Sequence, residues 1–197
     1  MESTEIADSL KEAKELDLDR RIAIYIAFLA VLLSICSVGG GNATKDSTRT
    51  NIQASDTWAF FQAKNQRQTA YKLAADGMHI RLTEPGLPDA TRKEIEQKLG
   101  AYQSEITHLE SEAEKGEGKK ELVAKAKEFE HERDIALRQD PYFDYAEAFL
   151  QIGIVLASAS IVLKNSSLLW GSGFLSFLGF LLMLNGFTLA ISIPFIE

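Results

Sequence analysis

The sequence predicts an all-α membrane protein: three transmembrane helices, with a helical coiled-coil domain inserted between the first and the second. Three observations predict it. The 197 residues are sorted into blocks, with 22–38 and 148–196 almost uncharged while 39–147 holds most of the Lys, Arg, Asp and Glu. A soluble domain mixes these classes at helix or strand period, so separation in blocks points to a bilayer. From Ala148 to Leu163 no charge interrupts an apolar run bracketed by Glu147 and Lys164, and roughly 17 to 25 such residues cross a ~30 Å hydrocarbon layer. The charged middle spaces its apolar residues by four and three, the step of heptad a and d positions.

Residues 1–21 form a charged tail, with seven acids and two lysines among the first 19. Ile6, Leu10, Ala13 and Leu16 fall at helical spacing, so a short amphipathic helix and a solvated, disordered tail both stand as readings. Arg20 and Arg21 abut the first transmembrane segment, 22–41. Its apolar part, Ile22 to Val38, spans only ~25 Å as a helix, so Gly39–Gly41 must contribute. A cleaved signal peptide is the competing reading. The acidic leader and the lack of an Ala-x-Ala site favour an uncleaved anchor.

The extramembrane domain, 42–140, begins with a long polar helix over 44–80. Ala54, Trp58, Phe61, Asn65, Gln68, Lys72 and Ala75 step by four and three, as do Ile52, Ser55, Ala59, Gln62 and Gln66. Only some of these are apolar, which predicts a seam with a wet centre. Gly77 and then Glu84-Pro85-Gly86-Leu87-Pro88 terminate it. A second helix starts near Asp89, where Thr91-x-x-Glu94 resembles a capping box. Its seam is Ile95, Leu99, Tyr102, Ile106, Leu109 and Ala113. Beyond Gly116-Glu117-Gly118, Leu122, Ala126, Phe129, Arg133 and Ala136 resume the spacing in another phase. Two anchors on one membrane face require the chain to leave and return, so Gly116–Gly118 is read as a kink in one returning path rather than a fold-back.

The second transmembrane helix is 141–164, with Asp140-Pro141 read as N-cap and first helical position. Lys164 to Ser167 allows only a turn, and 168–196 is the third transmembrane helix, with Pro194 near its end. Arg20, Arg21 and Lys164 place the N-terminus and this turn in the cytoplasm by the positive-inside rule. The middle domain and the C-terminus then lie outside. Net charge −7 argues against nucleic acid, which selects clustered positive charge. The single cysteine, Cys36, excludes an internal disulfide.

Two stretches, Ala54 to Gln68 and Phe143 to Ser158, are similar to the signature segments of a bacterial membrane family, domain of unknown function 4337. The order of parts is similar over nearly the whole chain. The resemblance implies a bacterial origin and a membrane location, but no activity; with the orientation read above, the membrane is the bacterial inner one and the middle domain periplasmic, and no cofactor is expected.

His79, His108 and His131 are the only histidines. His108 and Glu112 at i,i+4 present a metal-like pair, set against the reading of solvated flank positions. No phosphate loop or nucleophile elbow is present, and Gly39–Gly41 follows an apolar span rather than a strand. No enzyme is therefore expected. Glu147, Gln151 and Ser158 share one face of the second span, and Asn185, Thr188 and Ser192 form a stripe on the third. Such groups either glue helices together or line a polar path. Gly153, Ala157 and Ser160, and likewise Ser172, Ser176 and Gly179, make small-residue faces for the internal hairpin or for subunit contacts. Trp58 and Phe61, with the seam Ile95, Leu99, Tyr102, Ile106 and Leu109, are the candidate self-association or partner surface. The functional expectation is a non-enzymatic membrane scaffold or accessory subunit, a homo-oligomer or part of a larger complex in the lipid bilayer. An oligomeric channel is the alternative.

Overall fold

Four helices make up the computed structural model, and no strand occurs among the described residues: α1 (Glu2–Leu82), α2 (Asp89–Glu110), α3 (Lys119–Leu163) and α4 (Ser166–Thr188). The structure describes residues 2–112, 114–194 and 196, and side chains from Ala13 onward, so Ile6, Leu10 and the seam position Ala113 fall outside it. Three helices, α1, α3 and α4, are long and apolar enough to cross a membrane. The chain divides into two units, residues 1–47 with 134–197, and residues 48–133.

The first unit is an apolar three-helix bundle. Its core joins Leu29, Cys36 and Ala43 of α1 to Phe143, Ala146 and Leu150 of α3 and Met183 of α4. The two small-residue faces meet each other. Ser172 Oγ donates to Gly153 O at 2.7 Å, Ser176 Oγ occupies the space a side chain at Gly153 would need, and a Cβ at Gly179 would lie 3.0 Å from Ala146 O. Close backbone approach at glycine and serine is what α3 and α4 use to pack. At one end of the bundle Lys164 Nζ donates to Asp19 Oδ2 at 2.6 Å, tying the α3–α4 turn to the start of the apolar run of α1. Lys164 takes the left-handed conformation (φ 48°), and Asn165 caps α4 by accepting from Ser167 N at 2.9 Å.

Two local expectations change here. Pro141 does not open a helix; it lies inside α3. Asp140 instead accepts from Thr44 Oγ1 at 2.8 Å. Proline removes one ladder donor, yet the helix continues past it into the buried pair Tyr142 and Phe143. Gly39–Gly41 lie within α1, as the length of the first span requires, and Gly39 and Gly40 pack against Phe143. Finally, α4 ends at Thr188, with Leu189 left-handed, short of Ile196. The chain beyond is held by side chains. Asn185 donates from Nδ2 to Ile191 O (2.7 Å) and accepts from Ile191 N (2.9 Å), while Tyr142 Oη donates to Ile191 O and accepts from Ile193 N.

In the second unit, α1 turns through Pro85-Gly86, with Gly86 at φ 82°, the pairing a type II turn requires. Pro88 rather than Thr91 is the N-cap of α2, and it makes no side-chain cap bond. α2 and then the start of α3 run antiparallel along α1. Tyr102 stacks on Tyr71 at 5.3 Å, Glu130 accepts from Trp58 Nε1 at 2.8 Å, and Arg133 donates to Asn51 at 3.5 Å. The returning path is broken between Glu110 and Lys119, wider than a kink, but it does not fold back. The buried side of α1 in this unit is Thr50, Ala54, Thr57, Lys64, Gln68 and Ala75, with Phe61 and Tyr71 half-buried. Positions 58, 65 and 72 were expected on this seam. Asn65 and Lys72 are exposed and Trp58 is half-buried at its edge, because the four-three step runs one residue earlier, through 57, 64 and 71.

Candidate functional site

The break in the returning path lies opposite Lys64 and Gln68, two polar residues buried in the seam of α1. Ending α2 leaves carbonyls without intrahelical donors, and starting α3 leaves N–H groups without acceptors. Gln68 reaches into this end of α2: Nε2 donates to Ile106 O and to Glu110 Oε2, both at 2.9 Å. Its own Oε1 accepts from Lys119 Nζ at 2.8 Å. Glu121, in the first turn of α3, accepts from Ser111 Oγ at 2.6 Å and from Glu112 N at 3.3 Å. Any side chain at Gly118 would collide with Glu121, Ser111 and the Glu112 backbone. Lys64 completes the junction at 3.5 Å from Glu112 Oε2, and its ammonium lies 5.1 Å from the Phe60 ring.

The carboxyls of this junction titrate below the usual range. The Gln68 amide, then Lys119, lower Glu110. For Glu112 burial pushes upward, but Lys115, His108 and Lys64 together outweigh it. Glu121 is lowered first by the Ser111 hydroxyl. His108 Nε2 lies 3.2 Å from Glu112 Oε1, so the two residues singled out by their i,i+4 spacing meet within this network. Among the described residues no group of three His, Cys, Asp or Glu side chains could hold a metal. Such a junction fixes register: it rewards only the alignment that sets Lys64 and Gln68 against the break.

The predicted surfaces separate. Ile95 and Leu109 are buried, and Leu99, Tyr102 and Ile106 half-buried, on the side of α2 that meets α1. Trp58 and Phe61 pack edge to face at 5.6 Å. This seam is filled from within the chain. Of the intramembrane candidates, Glu147 accepts from Gln151 Nε2 at 3.1 Å on the outer face of α3, and the exposed Ser158 donates to Ile154 O of its own helix. On α4, Thr188 donates back to Leu184 O, Asn185 holds Ile191, and Ser192 lies beyond the helix.

A second feature escaped the sequence reading. Phe143 is 2% exposed, in a socket of three glycines. A Cβ at Gly39 would come within 2.6 Å of its ring and one at Gly186 within 3.1 Å, while one at Gly40 would lie 3.1 Å from Phe143 Cβ. Phe187 closes the socket edge to face at 4.8 Å, and Cys36 Sγ donates to Phe143 O at 3.3 Å. Beside α4 lies an open apolar crevice of about 640 Å³, lined by Leu18, Leu169, Trp170, Phe174 and Phe177.

Fold and geometry together define an all-α chain with three helices long and apolar enough to span a membrane and a helical segment carrying a charged junction. The chain belongs to the family described as a domain of unknown function, DUF4337, which matches residues 18–189. No curated protein and no solved structure matches it.

Proposed function

We propose that this chain is a non-enzymatic integral membrane scaffold or accessory subunit. Three spans anchor it, and a coiled-coil unit between the first and second supports self-association or partner binding. The observation that carries the reading is the outward face of the apolar bundle. Ile24, Phe28, Val31, Val155, Val162, Trp170 and Phe174 are all largely exposed, far more than the single apolar residues a soluble surface scatters. In a bilayer this face, and the crevice beside Trp170, meet acyl chains. The site is a bacterial inner membrane, with the N-terminus cytoplasmic and the middle unit periplasmic. Impermeant thiol labelling of single cysteines placed near residues 10 and 110 tests the orientation, with only the second expected to react from outside. Cross-linking in native membranes followed by mass measurement tests the scaffold role. Discrete oligomers or heteromers are expected, and a strictly monomeric, partnerless chain ends it.

A second reading is favoured by one feature. Gln151 and Ser158 are exposed and Glu147 is half-exposed on a face of α3 that carries apolar residues elsewhere, and polar groups in lipid need partners. Several copies arranged around this stripe would form a polar lumen. Ion flux into liposomes tests it. Flux that falls with Glu147→Gln supports the channel, and absent or unchanged flux removes it.

A further inference from the structure

The outer face of α1 in the second unit is a second heptad seam. Ala59, Ala63, Gln66, Ala70, Leu73, Gly77 and Ile80 follow one another by four and three without interruption, and every one is exposed. Leu73 is 68% exposed and Ile80 70%. At 100° per residue this face lies about 160° around the helix from Thr57, Phe61, Lys64, Gln68, Tyr71 and Ala75, the face covered by α2 and α3. Both faces repeat every seven residues, so a left-handed supercoil that keeps one in line keeps the other in line too. α1 is thus built to pair on two sides, and the chain supplies a partner for only one.

We infer that a second copy of this chain docks along this face in parallel register, giving a homodimer centred on α1. The proposal rests on the self-association reading above and names its surface. With Ala63, Ala70 and Gly77 at a positions and Ala59, Gln66, Leu73 and Ile80 at d, the flanking g and e positions can be read directly. The g row is Gln62, Thr69 and Asp76, and the e row is Phe60, Arg67, Ala74 and Arg81. In a parallel pair each g residue faces the e residue five places on in its partner. That sets Asp76 against Arg81 of the second copy twice, by symmetry, and Gln62 against Arg67. An antiparallel pair sets e against e, a row with two arginines and no acid, and g against g, with an acid and no base. Neither Asp76 nor Arg81 makes an ion pair among the described residues, so both remain available to a partner. Asp56, the next a position toward the N-terminus, would face its own copy, and this like-charge pair bounds the seam at Ala59. The small a residues allow close approach, and Leu73 and Ile80 supply the apolar area.

The test uses the full chain in mild detergent, with Cys36, fully buried, retained and the unmodified chain as blank. Ala63→Cys and Ala70→Cys are each oxidised, alongside Asn65→Cys and Lys72→Cys on exposed positions away from the seam. Most of the chain should become disulfide-linked dimer at both 63 and 70, at least tenfold more than at 65 or 72. Two same-residue links seven positions apart are possible only in a parallel pair. In the Ala70→Cys background, Asp76→Arg or Arg81→Asp alone should cut the yield at least fivefold, and the two together should restore it. Native mass of the unoxidised chain separates the possible failures. An oligomer that does not link at 63 and 70 overturns this surface and leaves self-association standing. A monomer overturns both, and a stable complex with a different protein over α1 replaces the second copy as occupant.

Discussion

Gly39→Ala is the sharpest probe of the apolar bundle, because its expected sign opposes the ordinary helix preference. Alanine in place of glycine inside a helix stabilises by about 0.5–1 kcal/mol. At Gly39, however, the added Cβ falls 2.6 and 2.8 Å from Phe143 Cε1 and Cζ and 3.0 Å from Phe187 Cζ. Carbon atoms prefer about 3.5–4.0 Å, so the ring must retreat by close to an ångström. Gly186 lies against the same ring, close enough that a Cβ there would come within 3.1 Å, so the ring has little slack on that side. Overpacking of this kind costs about 1–3 kcal/mol, which leaves a net loss of roughly 1–2 kcal/mol after the helix gain. Cys36 reports it, since its buried thiol bonds to Phe143 O and reacts only when the socket opens. In detergent, labelling by a small maleimide should accelerate by about 5- to 30-fold, at 1.4 kcal/mol per tenfold. Gly41→Ala is the internal control. Nothing lies within 4 Å of its built Cβ, so labelling should be unchanged or slower. In a Phe143→Ala background the two shortest contacts disappear and only the approach to Phe187 remains, so Gly39→Ala should accelerate labelling much less. If Gly39→Ala and Gly41→Ala behave alike with Phe143 present, the socket is not as described.

Gln68→Leu removes the buried amide's hydrogen bonds to Ile106 O, Glu110 and Lys119 and should cost about 1–2 kcal/mol, read as a lower unfolding midpoint and faster amide exchange over 106–121; a higher midpoint would contradict the register role. Because Glu110, Glu112 and Glu121 are held below the usual carboxylate range, their stabilisation is complete above the unfolded-state range. It is lost as pH falls through their lowered folded values. Trp58 fluorescence in a Trp170→Phe chain should therefore stay constant from neutral pH down to about pH 5 and change only below the usual carboxylate range; a transition near pH 6–7 would point elsewhere. Trp58→Phe removes the bond to Glu130 and should lower stability by about 1 kcal/mol in the same melts, with no effect on Cys36 labelling.

The sequence was legible where one face of a helix had one environment. The apolar blocks, the small-residue faces of α3 and α4, and the Ile95–Leu109 seam could be read from spacing alone, since each repeats a single kind of residue at a single step. The junction was harder because it is made of exceptions. Lys64 and Gln68 are buried, and their partners come from the ends of two different helices, so no local pattern announces them. A signal did exist: counting by sevens from Ile22 through Leu29, Cys36 and Ala43 reaches Thr50, Thr57, Lys64 and Tyr71, whereas starting from the conspicuous Trp58 shifts the seam by one. The glycine socket was hidden for a similar reason. Gly39 and Gly40 only lengthen the first span in the sequence, and nothing local shows that Phe143, about a hundred residues away, fills the space they leave. Pro141 misled in the opposite direction, since tertiary packing around Tyr142 and Phe143 carries the helix past a residue that usually ends one.

The central claim is that α1, α3 and α4 are embedded in a lipid layer. Alkaline carbonate extraction of native membranes, followed by flotation, tests it directly. The chain should remain entirely with the floated vesicles and enter solution only with detergent. Recovery of intact chain in the carbonate supernatant, monodisperse without detergent, would contradict it.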